Sequence, residues 1–303
     1  TLTSFNATSN PNLTCIEVDD VAAAEAAWTN KDATTNFSLA CNSMNIPDAN
    51  FKAYLVGETN INTNGDAEIQ ADEAANFTGT ISIGSLGITD LTGIEAFVNI
   101  TGLFADDNDL GSVDISQNTQ LTLLTLASCN LSTLDISQNT NLTLVFIENN
   151  NLNTLDISSN AVLESLSCHT NNLSALDFSN NPGLKYLSCG FNNLTELDLS
   201  QNPSMVQLLC ADNSLTALNM KNLSTTTLTS FNATSNPNLT CIEVDDVAAA
   251  EAAWTSIDAT ASFSLDCPTL VTSIDVQGQG GESTITTDGG SLQMEATVLP
   301  AEA

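Results

Sequence analysis

Residues 173–193 read LSALDFSNNPGLKYLSCGFNN. Leu173, Leu176, Phe178, Leu184, Leu187 and Cys189 occupy positions 1, 4, 6, 12, 15 and 17 of this stretch. The same positions are apolar in four neighbouring 21-residue units that begin at Leu110, Leu131, Leu152 and Leu194. Each unit is a coil that cannot bury its apolar edge alone, so coils must stack and close a continuous core between them. Positions 15 and 17 are two apart, which marks a short strand with both side chains turned inward. Strands of successive coils then pair in parallel, roughly 4.8 Å apart. An Asn near the end of the unit satisfies the backbone of the turn. Twenty-one residues leave no room for a helix on the return side, so the LDIS-like segment is expected to be extended or turn-like.

Outward from this core, a 22-residue variant starts at Ile88, and an irregular unit from Leu215 leads through Phe231, for about seven coils. The pattern LxxLx[LIC]xxN in these units resembles the leucine-rich repeats of internalin-type bacterial surface proteins. It resembles in particular the subclass with a cysteine at the inner strand position, here Cys168, Cys189 and Cys210. The resemblance implies an α/β leucine-rich-repeat solenoid, strand-rich, with a parallel sheet on the concave face and little helix outside the caps. It also implies extracellular adhesion or ligand recognition, although a repeat fold by itself names no ligand.

A second repeat is longer. Residues 1–29, TLTSFNATSNPNLTCIEVDDVAAAEAAWT, recur unchanged at 227–255. Residues 1–41 are therefore expected to be the tail and cap of a preceding solenoid block. Residues 42–87 form an N-terminal cap, 88–240 the repeats and 241–267 the C-terminal cap. Residues 268–303 alternate apolar and polar positions around Gly-rich turns and resemble the opening strands of a bacterial immunoglobulin-like sandwich.

The charge narrows the function classes. Four basic residues, all Lys, face 36 acidic ones, for a formal net charge of −32. Such a chain repels nucleic acid and anionic membrane. No apolar run reaches the 18 or more residues of a membrane helix. The only histidine, His169, follows Cys168 directly, so on a strand the two side chains point to opposite faces and cannot form a thiolate–imidazole pair. No nucleophile motif, phosphate loop or zinc spacing appears, and the chain is read as non-catalytic.

The caps carry their own chemistry. Cys15/Cys41 and Cys241/Cys267 share a spacing of 26 within duplicated segments, and two disulfides are expected. DDVAAAEAAW, from Asp245, reads as a short helix begun at Asp245 or Asp246, with Trp254 covering the last coil. NIPDANFKAYLVG, from Asn45, reads as a helix with Pro47 in its first turn and Phe51, Tyr54 and Leu55 on one face. The following NTNGDAEIQADE resembles an EF-hand or dockerin-like loop. That resemblance assigns a structural calcium ion to Asn62, Asn64, Asp66, the Glu68 carbonyl and Glu73. The sequence departs from the pattern at Asn62, usually Asp, and at Ala67, usually Gly, which lowers the expected affinity. The alternative is a polar turn leading into an acidic helix start. Cys168, Cys189 and Cys210 are expected to be core residues, with a metal site on them improbable beside that role.

The outward strand positions 14, 16 and 18 form the face that repeat proteins use for recognition. Here they include Phe104, Leu123, Leu144, Phe146, Glu148, His169, Tyr186, Gln207 and Leu209, with Phe191 at the strand edge. Aromatic anchors with a few polar groups suit a protein segment or a glycan on a cell surface. Cross-strand packing that merely stabilises the sheet is the other reading of the same residues. A stalk or self-associating filament with no separate ligand is the alternative function. Asp114, Asp135, Asp156, Asp177 and Asp198 stack on the opposite side, as turn caps or as a cation ladder.

Overall fold

A computed structural model describes residues 4–13, 15–38 and 41–267. The sandwich expected for 268–303 lies outside the described residues. Eight three-residue strands form one parallel sheet, in the order Thr80–Ser82, Gly102–Phe104, Leu123–Thr125, Leu144–Phe146, Ser165–Ser167, Tyr186–Ser188, Gln207–Leu209 and Ser230–Asn232. The register advances by one coil per strand: Leu124 faces Val145, Val145 faces Leu166, and Leu166 faces Leu187. Unit positions 15 and 17 point inward and are buried in the regular 21-residue units, as the two-residue spacing requires, while Phe231 at the equivalent place in the last strand is partly buried. Helix is confined to Val21–Ala27, Ala49–Gly57, Ala71–Asn76 and Val247–Ala253 among the described residues, apart from one 3-10 turn at Ile94–Ala96.

The sheet starts earlier than the repeat spacing suggests. Its first strand, Thr80–Ser82, falls inside the 42–87 span expected to be cap, because Ile81 and Ile83 already fill the two inward strand positions. No leucine spacing precedes them, so this coil does not show in the period. On the return side the chain is extended, and toward the C-terminal end it pairs into a second parallel sheet of Glu196–Asp198, Ala217–Asn219, Cys241–Glu243 and Ser262–Ser264.

Two columns of buried asparagine hold the coils in register. In the first, Asn108, Asn150, Asn171, Asn192, Asn213 and Asn236 close the strand turns. Asn171 donates its Nδ2 to the Ile147 and Cys168 carbonyls, at 3.0 and 3.1 Å, and its Oδ1 accepts the Leu152 N–H at 3.0 Å. Each of those carbonyls also accepts from the adjacent asparagine, Asn150 for Ile147 and Asn192 for Cys168. Cys129 takes the asparagine's place in one coil, its thiol donating to the Ala105 and Ala127 carbonyls. The second column is Asn118, Asn139, Asn160, Asn181 and Asn202. Asn139 donates to the Ile115 and Asn118 carbonyls, both at 3.0 Å, but its Oδ1 is buried and has no partner, and the same holds for the other four.

Both caps use one design. At the C-terminal end the Asp246 carboxylate accepts the Ala249 N–H and starts the helix. Trp254, 3% exposed, donates its indole Nε1 to the Leu228 carbonyl at 3.1 Å and so covers the last coil. Cys241 and Cys267 are joined, and so are Cys15 and Cys41. Asp20, Trp28 and Phe37 repeat the roles of Asp246, Trp254 and Phe263. The copies differ in their surroundings. Cys241–Glu243 pairs with strands on both sides, whereas among the described residues Cys15–Glu17 pairs with Asn36–Ser38 alone, and Trp28 is only half-buried. At the other cap the helix runs from Ala49, so Pro47 precedes the Asp48 N-cap instead of lying in the first turn. Burial pushes the Asp48 carboxyl up, but the N–H groups of Thr89, Phe51 and Asn50 and the Thr89 hydroxyl outweigh it and hold it below the ordinary value.

Candidate ligand-binding face

The outward side of the eight-stranded sheet is built from three rows, because residues of equal unit position lie side by side on neighbouring strands. One row runs Leu123, Leu144, Ser165, Tyr186, Gln207, and the next runs Phe104, Thr125, Phe146, Ser167, Ser188, Leu209. Asp106, Ala127, Glu148 and His169 continue the third. Small serines in the middle of two rows, with large side chains around them, leave a hollow of about 370 Å³. Ser165, Ser167 and Ser188 are its floor, while Phe146, Glu148, His169, Tyr186, Gln207 and Leu209 wall it.

Six of the ten residues expected on this face therefore meet at one place. Phe104, Leu123 and Leu144 lie toward the N-terminal end of the sheet, outside the hollow, and are half-buried by their cross-strand neighbours. Phe191 is also outside it. It sits beyond the strand in the left-handed region, φ 53°, with 60% of its surface exposed, because the turn into the Asn192 step carries its side chain off the sheet. The outward strand positions include Ser165, Ser167 and Ser188, but nothing in the sequence marks them as a floor: serine on a sheet face reads as ordinary solvated surface, and only its neighbours' size makes it a depression.

The polar groups of the hollow differ in how they are held. His169 contacts the Thr170 hydroxyl through Nδ1 at 3.0 Å. Glu148 keeps one carboxylate oxygen, Oε2, covered and without a hydrogen-bond partner. Asp106, two coils earlier in the same row, is satisfied by the Thr125 hydroxyl at 2.6 Å and the Ala127 N–H at 2.8 Å. Beneath the sheet, burial is the main cause that pushes the thiols up, Cys129 to about 11, Cys168 and Cys210 to about 12, and Cys189 well above the ordinary value. A thiol held so far from ionisation by burial is a poor nucleophile at neutral pH.

Away from the sheet face, the side-chain oxygens of the 62–73 loop are taken up by N–H groups of the loop itself. Glu73 accepts the Thr63, Asn64 and Gln70 N–H groups, and Asn62 Oδ1 accepts the Gly65 N–H. Asp66 accepts the Glu68 N–H and side-chain amides of Asn64 and Gln70. Glu68 turns its carboxylate away to Lys52, at 2.7 Å, leaving its backbone as the only part toward the loop that a calcium scheme uses. The stacked aspartates opposite the sheet each accept the N–H of the residue two further on, Ser116, Ser137, Ser158, Ser179 or Ser200.

No family model and no curated protein matches the chain. Solved structures do. Internalin C2 of Listeria monocytogenes superposes with a TM-score of 0.52 at 18% identity, over 72% of this chain and 94% of that one. The functional domain of InlJ from the same organism, which includes a cysteine ladder, is 26% identical over 66% of this chain, with a TM-score of 0.38. The chain spans 56% of the length of that domain. An internalin InlF gives 0.48 at 20% identity, over 72% and 71% of the two chains. With its stacked 21-residue coils, an asparagine column at the strand turns and a buried cysteine row, the chain has the leucine-rich-repeat fold, internalin-like in architecture.

Proposed function

We propose that the outer face of the eight-stranded sheet is a protein-recognition surface on an extracellular, surface-attached protein, and that the chain does no chemistry of its own. The observation that carries this reading is the hollow walled by Phe146 and Tyr186 over a serine floor. Tyr186 keeps 45% of its surface exposed, while among the described residues every other aromatic side chain but Phe191 is buried or half-buried. Large rings held at a partly desolvated depression are what interface anchors consist of. Among the described residues no helix is long and apolar enough to cross a membrane, and the two disulfides suit an oxidising compartment.

The test is capture by the immobilised chain from a panel of purified cell-surface ectodomains and, in parallel, a glycan array. Phe146→Ser with Tyr186→Ser should remove ectodomain capture while the circular dichroism spectrum stays unchanged. Unchanged capture refutes the face, and capture of glycans alone replaces the protein partner by a carbohydrate one. The duplicated cap favours a second reading, a stalk of tandem blocks. Light scattering separates the two, since a concentration-dependent rise in mass with no ectodomain capture supports the stalk.

A further inference from the structure

Glu148 is the group on this face that the fold does not explain. Its Oε2 is covered and has no donor, although it belongs to the same row as Asp106, both of whose oxygens are answered from within the chain. Among the described residues no lysine is left to supply one. All four of its basic residues are engaged elsewhere: Lys31 with Glu25 at 3.8 Å, Lys52 with Glu68 at 2.7 Å, Lys185 with Glu164 at 2.8 Å, and Lys221 with Glu243. His169, in the next coil of that row, spends its Nδ1 on Thr170.

A covered carboxylate oxygen without a donor costs free energy in the unbound protein, and turning the half-buried Glu148 side chain out to a partner's donor recovers it. Phe146 and Tyr186 wall the same hollow. Aromatic faces beside a carboxylate attract a cation from two directions, through the ring quadrupole and through the formal charge. The net charge of −32 steers positive partners toward the molecule from a distance. We infer that the hollow takes an arginine or lysine side chain of the partner protein, its cationic end on Glu148 and its stem along Phe146 and Tyr186. This rests on the reading of the sheet face as a protein-recognition surface and adds the chemistry of its central contact.

The experiment selects displayed random dodecapeptides on the immobilised full chain at 150 mM NaCl. Individual clones are then measured on the wild type, on Glu148→Gln, on the double variant Phe146→Ser, Tyr186→Ser, and on Asp135→Asn, Asp156→Asn as a control for unspecific charge on the opposite side. The expected result is clones that share one Arg or Lys, lose tenfold or more in affinity on Glu148→Gln and on the aromatic double variant, and are unaffected by the control pair. Clones that lose affinity on the aromatic variant but not on Glu148→Gln overturn the cation and leave the face reading standing. Basic clones that lose as much on the control pair as on Glu148→Gln also overturn it, since the attraction is then general. Binders indifferent to every variant, or no binders, overturn both.

Discussion

Two asparagines that look alike in the sequence should differ sharply when removed. Asn171 and Asn139 are both buried, both recur every 21 residues, and both donate an amide to two carbonyls of the stack. In both cases those carbonyls keep a second donor. Ile147 retains Asn150 and Cys168 retains Asn192, while the Ile115 carbonyl retains the Asn118 N–H and the Asn118 carbonyl retains the Leu121 N–H. The difference lies in Oδ1. In Asn171 it is the acceptor for the buried Leu152 N–H, and in Asn139 it faces nothing. Asn171→Ala loses three short hydrogen bonds at about 1 kcal/mol each, with a weak fourth to the His169 carbonyl at 3.5 Å, and orphans an N–H, for a total of about 4 kcal/mol. Asn139→Ala loses two and relieves one unsatisfied oxygen, for about 1 kcal/mol. The volume lost is the same, so cavity effects largely cancel in the comparison. With a urea slope near about 3 kcal/mol/M, the two midpoints should separate by roughly 1 M. Urea titrations followed by circular dichroism measure this, and equal midpoints, or Asn139→Ala the worse, would refute the assignment of roles to the two columns.

Iodoacetamide at pH 8 should modify none of Cys129, Cys168, Cys189 and Cys210 in the folded chain and all four in urea, because burial raises each thiol far above that pH. Rapid labelling of the native protein would contradict the buried row. The Ser137 backbone N–H and hydroxyl hold the Asp135 carboxyl below its ordinary 3.8, so its contribution is present above about pH 4 and disappears as pH falls through the lowered value. The melting-temperature gap between wild type and Asp135→Ala should therefore close on acidification, and a gap that widens below pH 3 has the wrong sign. Trp254→Ala uncovers the last coil and should cost about 3–5 kcal/mol, read as earlier proteolysis near the C-terminal cap. Calcium at the 62–73 loop is carried as a proposal: Asn62, Asn64, Asp66, the Glu68 carbonyl and Glu73 would exchange loop N–H contacts for the ion. Millimolar calcium should give heat in titration calorimetry that Glu73→Gln abolishes, and no heat in the wild type removes the ion.

Much of this architecture is legible in the residues. Leu173, Leu184, Leu187 and Cys189 recur with a period that only stacked coils satisfy, and the equal spacing of Cys15/Cys41 and Cys241/Cys267 in a duplicated segment leads to both disulfides. What stays hidden depends on three-dimensional neighbours. Leu123 and Tyr186 hold the same unit position, yet one is half-covered by cross-strand packing and the other stands at the rim of a depression, because Ser165 and Ser167 lie between. Cys129 is unplaced by spacing to other cysteines, since its position belongs to the asparagine series. The coil at Thr80 is silent because isoleucines at 81 and 83 fill its strand without the leucines that announce the others.

The asparagine columns also limit how the chain can vary in length. In the regular units each amide reaches carbonyls 21 and 24, or 3 and 24, residues behind it, and Asn108 and Asn236 reach 25 and 26 back across the longer coils, so one added residue between strand and asparagine would pull two neighbouring coils out of step. Deviations from the period fall outside the step from strand to asparagine, which is the same from Phe104 to Asn108 as from Asn232 to Asn236. The 22-residue unit takes up its extra residue around the 3-10 turn Ile94–Ala96, and the coil in which Asn213 and Asn236 stand 23 apart does so after Met220, on the side away from the sheet. Insertions are thus admitted along one flank only, and the recognition surface keeps a constant pitch however the other flank drifts.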